Sequence, residues 1–365
     1  MFILWHQKYY YNSKYHYFCD PEILTTLKNS DYLLIQEKLN FPKRIILTTH
    51  TNPDGDAIGS CLAMFFYLLK KKHTVNIIIP DAFPEFLSWL PGQENILVFE
   101  QDKQRCLELI DTAELIFSLD YNDLGRLDEI ETHVIQSDSL KILIDHHLYP
   151  SEQFDLKISI PKTSSTSELV YDFIFASGDH HLLDKRIAEC IYTGIITDTG
   201  SLSYSCNYIR TYQIIAELLA FKIDGEHIHR LVYDTYSESR LRLLGYAISE
   251  KLIVLQEFNT AYIALNKDEL DRFNYKVGDT EGVVNFALSM NNINMAALFM
   301  ERDGIVKVSF RSKGNFSVDT FARNHFNGGG HRNASGANCE TSLDETVEKF
   351  LNLLPEYGKL LKRVY

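Results

Sequence analysis

The chain has 365 residues, 45% of them hydrophobic, and a formal net charge of −13. That composition fits a globular protein with room for two cores and excludes a fibrous or disordered chain. An acidic balance is a poor match for a protein that grips long nucleic acid, which needs a basic face against the phosphates. Six scattered cysteines (Cys19, Cys61, Cys106, Cys190, Cys206, Cys339) without a Cys-x-x-Cys pair read as reduced thiols. No apolar run reaches the ~18 residues of a membrane span. A cytoplasmic location without membrane association is therefore expected.

In chain order, residues 1–30 form an N-terminal extension to which no role is assigned. Met1-Phe-Ile-Leu-Trp5 gives way to His6 and Lys8 and lacks the layout of a secretion signal. Across 31–220, short apolar runs alternate with helical periodicity. Strands are expected at 45–49, 75–79, 115–119 and 141–144. Helices are expected at 57–72, where Ile58, Leu62, Phe65, Phe66 and Leu69 share one face, and at 165–175, 185–196 and 211–220. Such alternation predicts an α/β fold with a doubly wound, mainly parallel sheet. Residues 221–248 are polar and charged without a strand signal, and read as a linker with a helix of its own. Over 249–365 the texture changes to strands at 252–255, 261–265, 295–299 and 306–310, closed by a helix at 343–354. A smaller α+β domain is expected there, with the functional site in the cleft between the two domains.

Residues of metal-binding type recur where apolar runs end: His50-Thr-Asn-Pro-Asp54-Gly-Asp56, Asp120, Asp145-His146-His147 and Asp198. Oxygen and imidazole donors suit Mn²⁺ or a similar divalent ion, and open α/β sheets bind ligands at the carboxyl ends of their strands. In the first motif Gly55 permits a tight turn, so that Asp54 and Asp56 can serve different ions, while Gly59 and Ser60 are read as letting the next helix pack close to the sheet. Taken alone, Asp-Gly-Asp is more often a turn followed by a helix cap, and Asp120 or Asp198 alone is more often a cap or turn residue. Adjacent histidines at a strand end are a stronger signal, since they are poor core residues. The set decides the reading. Thr163-Ser-Ser-Thr166 and Glu168 read as a helix N-cap and its dipole partner and are left outside the site.

These motifs resemble those of the DHH phosphoesterases, whose defining triplet stands here as Asp145-His146-His147. Phe310-Arg311-Ser312 and Gly328-Gly-Gly-His331-Arg-Asn-Ala-Ser-Gly336 resemble the DHH-associated C-terminal domain, so the likeness runs from about residue 40 to 360. It implies a catalytic domain over 31–220 and a substrate-binding domain over 249–365. It further implies that His50 and Asp54 bind one Mn²⁺, that Asp56, His146 and Asp198 bind a second, and that Asp120 bridges both. Asp145 would orient its neighbours and His147 would contact the scissile phosphate. Arg311, Gly329, Gly330 and His331 would bind a terminal phosphate or nucleotide, the glycines through exposed backbone N–H groups.

Within the family, the stand-alone nanoRNase and 3′-phosphoadenosine 5′-phosphate phosphatase branch is the most similar in domain pairing. It implies hydrolysis of very short 5′-phosphorylated oligonucleotides to mononucleotides and of 3′-phosphoadenosine 5′-phosphate to AMP. Linear or cyclic dinucleotides and polyphosphate are alternative substrates, and a nucleotide-binding sensor is the non-enzymatic alternative. A homodimer paired through exposed strands stays open.

Overall fold

The computed structural model describes residues 29–362. The N-terminal extension read at 1–30 lies almost wholly outside them. Contacts divide the chain into two compact units. The first comprises the described residues up to Asp81 together with Leu90–His146 and Glu152–Gly225; the second comprises Ala82–Trp89, His147–Ser151 and the described residues from Glu226 onward.

The first unit is built on six strands: β1 (Arg44–Thr48), β2 (Thr74–Ile79), β3 (Ile96–Val98), β4 (Leu115–Leu119), β5 (Leu140–Asp145) and β6 (Leu156–Ser159). All pair in parallel, in the order β3-β2-β1-β4-β5-β6. Central strands are mostly apolar and deeply buried, as β4 with all five residues buried shows, because helices cover both faces of a parallel sheet. The chain winds outward from β1 to β3, returns, and winds the other way from β4 to β6. Its direction reverses between β1 and β4, where loops from adjacent strands diverge and ligands of α/β folds collect. The edge strands β3 and β6 were not expected from the sequence. One has three half-buried residues and the other four alternating ones, too short a run for a pattern to register.

Between and after the strands lie α1 (Ser30–Lys38), α2 (Gly55–Lys70), α3 (Lys103–Thr112), α4 (Ile130–Gln136), α5 (Thr166–Ala176), α6 (Lys185–Asp198) and α7 (Ile209–Leu219). Helices α2 and α6 meet backbone to backbone. A β-carbon on Gly59 would lie 2.6 Å from the Cys190 carbonyl oxygen, and one on Gly194 would lie 1.9 Å from Ser167 Oγ and 2.7 Å from an Asp56 oxygen. Gly59 therefore serves the approach of α2 to α6, not of α2 to the sheet as the sequence reading supposed.

The long C-terminal part of the second unit opens with α8 (Gly225–Tyr233) and α9 (Glu238–Ser249), two helices where the sequence suggested one. Its sheet joins β7 (Leu252–Leu255), β8 (Thr260–Leu265), β9 (Met295–Arg302), β10 (Ile305–Ser312), β11 (Gly329–His331) and β12 (Ala334–Cys339) in the order β11-β12-β10-β9-β8-β7. Only β8 and β9 run parallel. Along β9, Met295, Ala297 and Phe299 join one core while Ala296, Leu298 and Met300 join another. Both sheet faces are thus covered, with a period of two. On the first face, α12 (Val318–Phe326) and α13 (Leu343–Leu361) contribute Phe321 and Phe350, which meet Phe310 and Phe299 in edge-to-face contacts at 5.4 and 5.3 Å. On the second, α9, α10 (Lys267–Arg272) and α11 (Val283–Leu288) contribute Leu243, Leu270 and Val284.

The glycine-rich motif, expected as a loop of open backbone, is strand β11 and the start of a hairpin with β12. Helix α13 continues to Leu361 through Pro355, beyond the expected end at residue 354. Leu354 and Leu361 are both fully buried in the first core, and that burial outweighs the backbone hydrogen bond lost at proline.

Gly59→Ala should cost about 1–3 kcal/mol in urea unfolding, because the Cys190 carbonyl cannot move aside cheaply. Gly245→Ala, on an exposed helical position with open space around it, should instead be neutral or stabilise by up to about 1 kcal/mol.

Candidate metal centre

The site is assembled in the first unit from the ends of β1, β4, β5 and α6. His50 closes the turn after β1 and is 5% exposed. Its Nδ1 lies 2.8 Å from the Thr51 carbonyl, to which it donates in the neutral tautomer, and this leaves Nε2 as the ligating nitrogen. Asp54 is the N-cap of α2, its Oδ1 accepting the amides of Asp56 and Ala57 at 3.0 Å. It also offers a carboxylate oxygen to a group with His50 and Asp120 whose ligand atoms lie within 4.8 Å of one another. The capping and ligating readings of this aspartate are therefore compatible.

Asp120 follows β4 with φ +67°, a left-handed conformation that aspartate tolerates better than most residues. Its amide donates to the Ile144 carbonyl of β5 at 3.3 Å, so the turned residue stays tied to the sheet. Its two oxygens face different imidazoles: Oδ2 lies 3.7 Å from His50 Nε2, and Oδ1 lies 3.5 Å from His146 Nε2. His146 Nε2 is also 3.5 Å from Asp198 Oδ2 and 4.0 Å from Asp56 Oδ2. Asp56, His146 and Asp198 form a second group with ligand atoms within 4.8 Å of one another. Asp198 is the last residue of α6, so it reaches the site from a helix and not from a strand loop. Asp145, fully buried, ends β5.

Helix α5 supplies contacts that sequence reasoning set aside. The amides of Thr166 and Ser167 donate to the two oxygens of Asp56 at 2.6 and 2.8 Å, and the Thr166 hydroxyl donates to Asp120 Oδ1 at 2.9 Å. Ser165 is indeed the N-cap, accepting the Glu168 amide, but the helix start it makes points at two of the candidate ligands. The signal was the run of five hydroxyl residues before an acidic one, which a cap alone explains as well.

Burial pushes the Asp56 carboxyl up to about 7, with the Asp54 charge adding to it and hydrogen bonds from Ser167 and Thr166 opposing. Asp120 is pushed well above the usual carboxylate range by burial and by Asp56, Asp54, Asp198 and Asp145. Burial lowers both imidazoles, with Arg126 reinforcing the effect at His50. Neutral imidazoles and crowded carboxylates are the donor set that divalent cations satisfy, and a buried cluster of like charge without them is costly. The residues fit such ions.

The remaining candidates lie in the second unit. His147, half-buried, opens the segment 147–151 that groups there. Arg311 on β10 and His331 on β11 both pair with Ala334 of β12, so their side chains leave the same face of the sheet. The glycine amides are less open than the sequence suggested. Gly328 donates to the Ala322 carbonyl at 3.2 Å, and Gly330 to Asp319 Oδ1 at 2.9 Å. Gly330, at φ +148°, is needed for close packing, since a β-carbon there would lie 2.6 Å from the Ala334 carbonyl oxygen.

Residues 44–195 match the model of the DHH family, N-terminal domain, and residues 257–359 match the DHHA1 domain. The chain belongs to the DHH family. As such it is a metal-dependent phosphoesterase, and divalent metal ions are its cofactors. It is 42% identical to an exopolyphosphatase-related protein of known structure from Bacteroides fragilis, over 92% of this chain and 98% of that one, with a TM-score of 0.87. It is 28% identical to the bifunctional oligoribonuclease and PAP phosphatase NrnA of Bacillus subtilis, over 80% of this chain and 88% of the relative. A protein of Streptococcus mutans, named a probable bifunctional oligoribonuclease and PAP phosphatase, is 27% identical over 88% of this chain and 98% of its own length. Among the described residues of the DHH phosphoesterase, no helix is long and apolar enough to cross a membrane.

Metal binding should release protons. Below about 7 the Asp56 carboxyl of the chelated protein holds a proton that an incoming ion must displace. The apparent Mn²⁺ affinity should therefore fall by about tenfold or more per pH unit below that value, since Asp120, also raised by burial and its neighbours, has a proton to release as well. Calorimetric titrations in buffers of different ionisation enthalpy read both the affinity and the protons released.

Proposed function

We propose that this DHH phosphoesterase is a two-metal hydrolase, with Mn²⁺ as the working ion, that acts on very short 5′-phosphorylated oligonucleotides and on 3′-phosphoadenosine 5′-phosphate. The observation that carries the two-metal reading is Asp120, whose oxygens each face a different imidazole and so join the two ligand groups. In this reading His50 and Asp54 hold one ion, Asp56, His146 and Asp198 hold the other, and Asp120 bridges them. Two ions held in this way lower the pKa of a shared water toward neutrality and offset charge on the phosphoryl oxygens.

The chain's own residues then have defined tasks. The Thr51 carbonyl keeps Nε2 of His50 deprotonated and aimed inward. Thr166 and Ser167 fix the Asp56 carboxylate from the start of α5, where the helix dipole favours negative charge. Asp145 orients its neighbours at the end of β5, and His147 donates to the scissile phosphate. Arg311 and His331, on one face of the second sheet, bind the terminal phosphate of the substrate. With the Gly328 and Gly330 amides already engaged, these side chains and Gly329 carry that recognition.

The substrate class rests on the oligoribonuclease and PAP phosphatase relatives that the chain matches nearly end to end. A second reading, hydrolysis of polyphosphate, is favoured by the description of the 42% identical Bacteroides fragilis protein as exopolyphosphatase-related.

Wild type and Asp120→Ala should be compared with Mn²⁺ on the dinucleotide pApA, a 24-nucleotide RNA, 3′-phosphoadenosine 5′-phosphate, pyrophosphate and polyphosphate. AMP release from pApA and from the bisphosphate is expected, reduced about 10²-fold or more in the variant. Turnover confined to polyphosphate would favour the second reading, and turnover confined to the long RNA would reject both.

A further inference from the structure

Glu168 is fully buried, yet among the described residues no salt bridge pairs it with a cation. Its Oε2 accepts the hydroxyls of Ser164 at 2.5 Å and Thr211 at 2.7 Å, and its Oε1 has no hydrogen-bond partner. A carboxylate held by neutral donors in a dry interior is expensive compared with leucine or glutamine at the same helical position. A helix cap does not require it. Ser165 caps the helix, and a capping box would return the Glu168 carboxylate to the Ser165 amide. The carboxylate reaches instead to Ser164, the residue before the cap.

What Ser164 belongs to explains the arrangement. Five consecutive residues, 163–167, hold three of the candidate ligands: the Thr163 main chain accepts a hydrogen bond from the His146 ring, Thr166 binds Asp56 and Asp120, and Ser167 binds Asp56. Glu168 closes that segment from its far end. We propose that Glu168 is a positioning residue for the metal centre, bracing through Ser164 the segment that orients His146, Asp56 and Asp120. It touches no candidate ligand itself; a charge-assisted hydrogen bond to Ser164 keeps the turn in one geometry, as supporting partners of ligating side chains do. The inference rests on the two-metal reading.

The test measures two properties of the intact chain: Mn²⁺ affinity by calorimetry, and thermal unfolding in the presence of chelator. Glu168→Gln keeps the shape and removes the charge, and Ser164→Ala cuts the brace while leaving Glu168 in place. Both should weaken Mn²⁺ binding about 10-fold or more and leave the chelated unfolding temperature within about 2 °C of wild type. Wild-type affinity in both variants would overturn the proposal, whether or not their chelated stability falls, because Glu168 would then be a packing residue. A wild-type protein that binds no Mn²⁺ would overturn the two-metal reading and this proposal with it.

Discussion

Mutual repulsion among crowded carboxylates, Asp56 and Asp120 buried and Asp54 and Asp198 partly exposed, is the constraint around which the first unit is organised. Asp54, Asp56, Asp120 and Asp198 converge within a few ångströms of two imidazoles, and each raises the cost of ionising Asp120. Such a cluster stays folded only where something else fixes its members. The parallel sheet does much of this. Strands β1, β4 and β5 are pinned by neighbours on both sides, and the reversal of winding direction between β1 and β4 leaves space above their carboxyl ends.

Fixing the other half of the cluster falls to helix packing. Asp56 rides on the first turn of α2 and Asp198 on the last turn of α6, so the separation of these helices sets the separation of the two carboxylates. Gly59 and Gly194 remove the side chains that would hold the helices apart, and a β-carbon on Gly194 would strike Ser167 and Asp56 directly. The glycines are thus part of the site's geometry although they ligate nothing. Local strain concentrates in the same place: Asp120 adopts its left-handed backbone at the point where its two oxygens must face opposite ways.

Much of this was legible in the sequence, and the parts that were not have physical reasons. The strands at β1, β2, β4 and β5 and the helices α2, α5, α6 and α7 declared themselves through period and length. Strands β3 and β6 are short edges with partial burial, which leave little pattern. Strands β11 and β12 are built from Gly, Ala, Ser, Asn, Cys and His, and their pairing is decided by β10, on which β12 lies, and not by β propensity. The residues the structure gathers at the centre all carry side chains that the motifs exposed. The role of Thr166 and Ser167 was hidden because they act largely through backbone amides, and an amide has no signature in the sequence. Conversely, the glycine-rich motif seemed to offer free amides, and the fold uses two of them internally.

The two aspartates of the group around His146 are not electrostatically equivalent. Asp56 lies at the positive end of α2 and receives two further amides from the start of α5, donors that offset part of the burial pushing its carboxyl up. Asp198 lies at the negative end of α6, where a carboxylate is disfavoured by about 0.3–1 kcal/mol and a cation is favoured. Within that group, therefore, Asp56 is held by the protein's own donors, while Asp198 would be stabilised chiefly by the ion the group would hold. Asp120 faces an imidazole of each group, so under the two-metal proposal a charge bound beside His50 would change the cost of ionising Asp120, and through it the affinity beside His146. Under the two-metal proposal, coupling between the two positions would run through that carboxylate, with no movement of the backbone required.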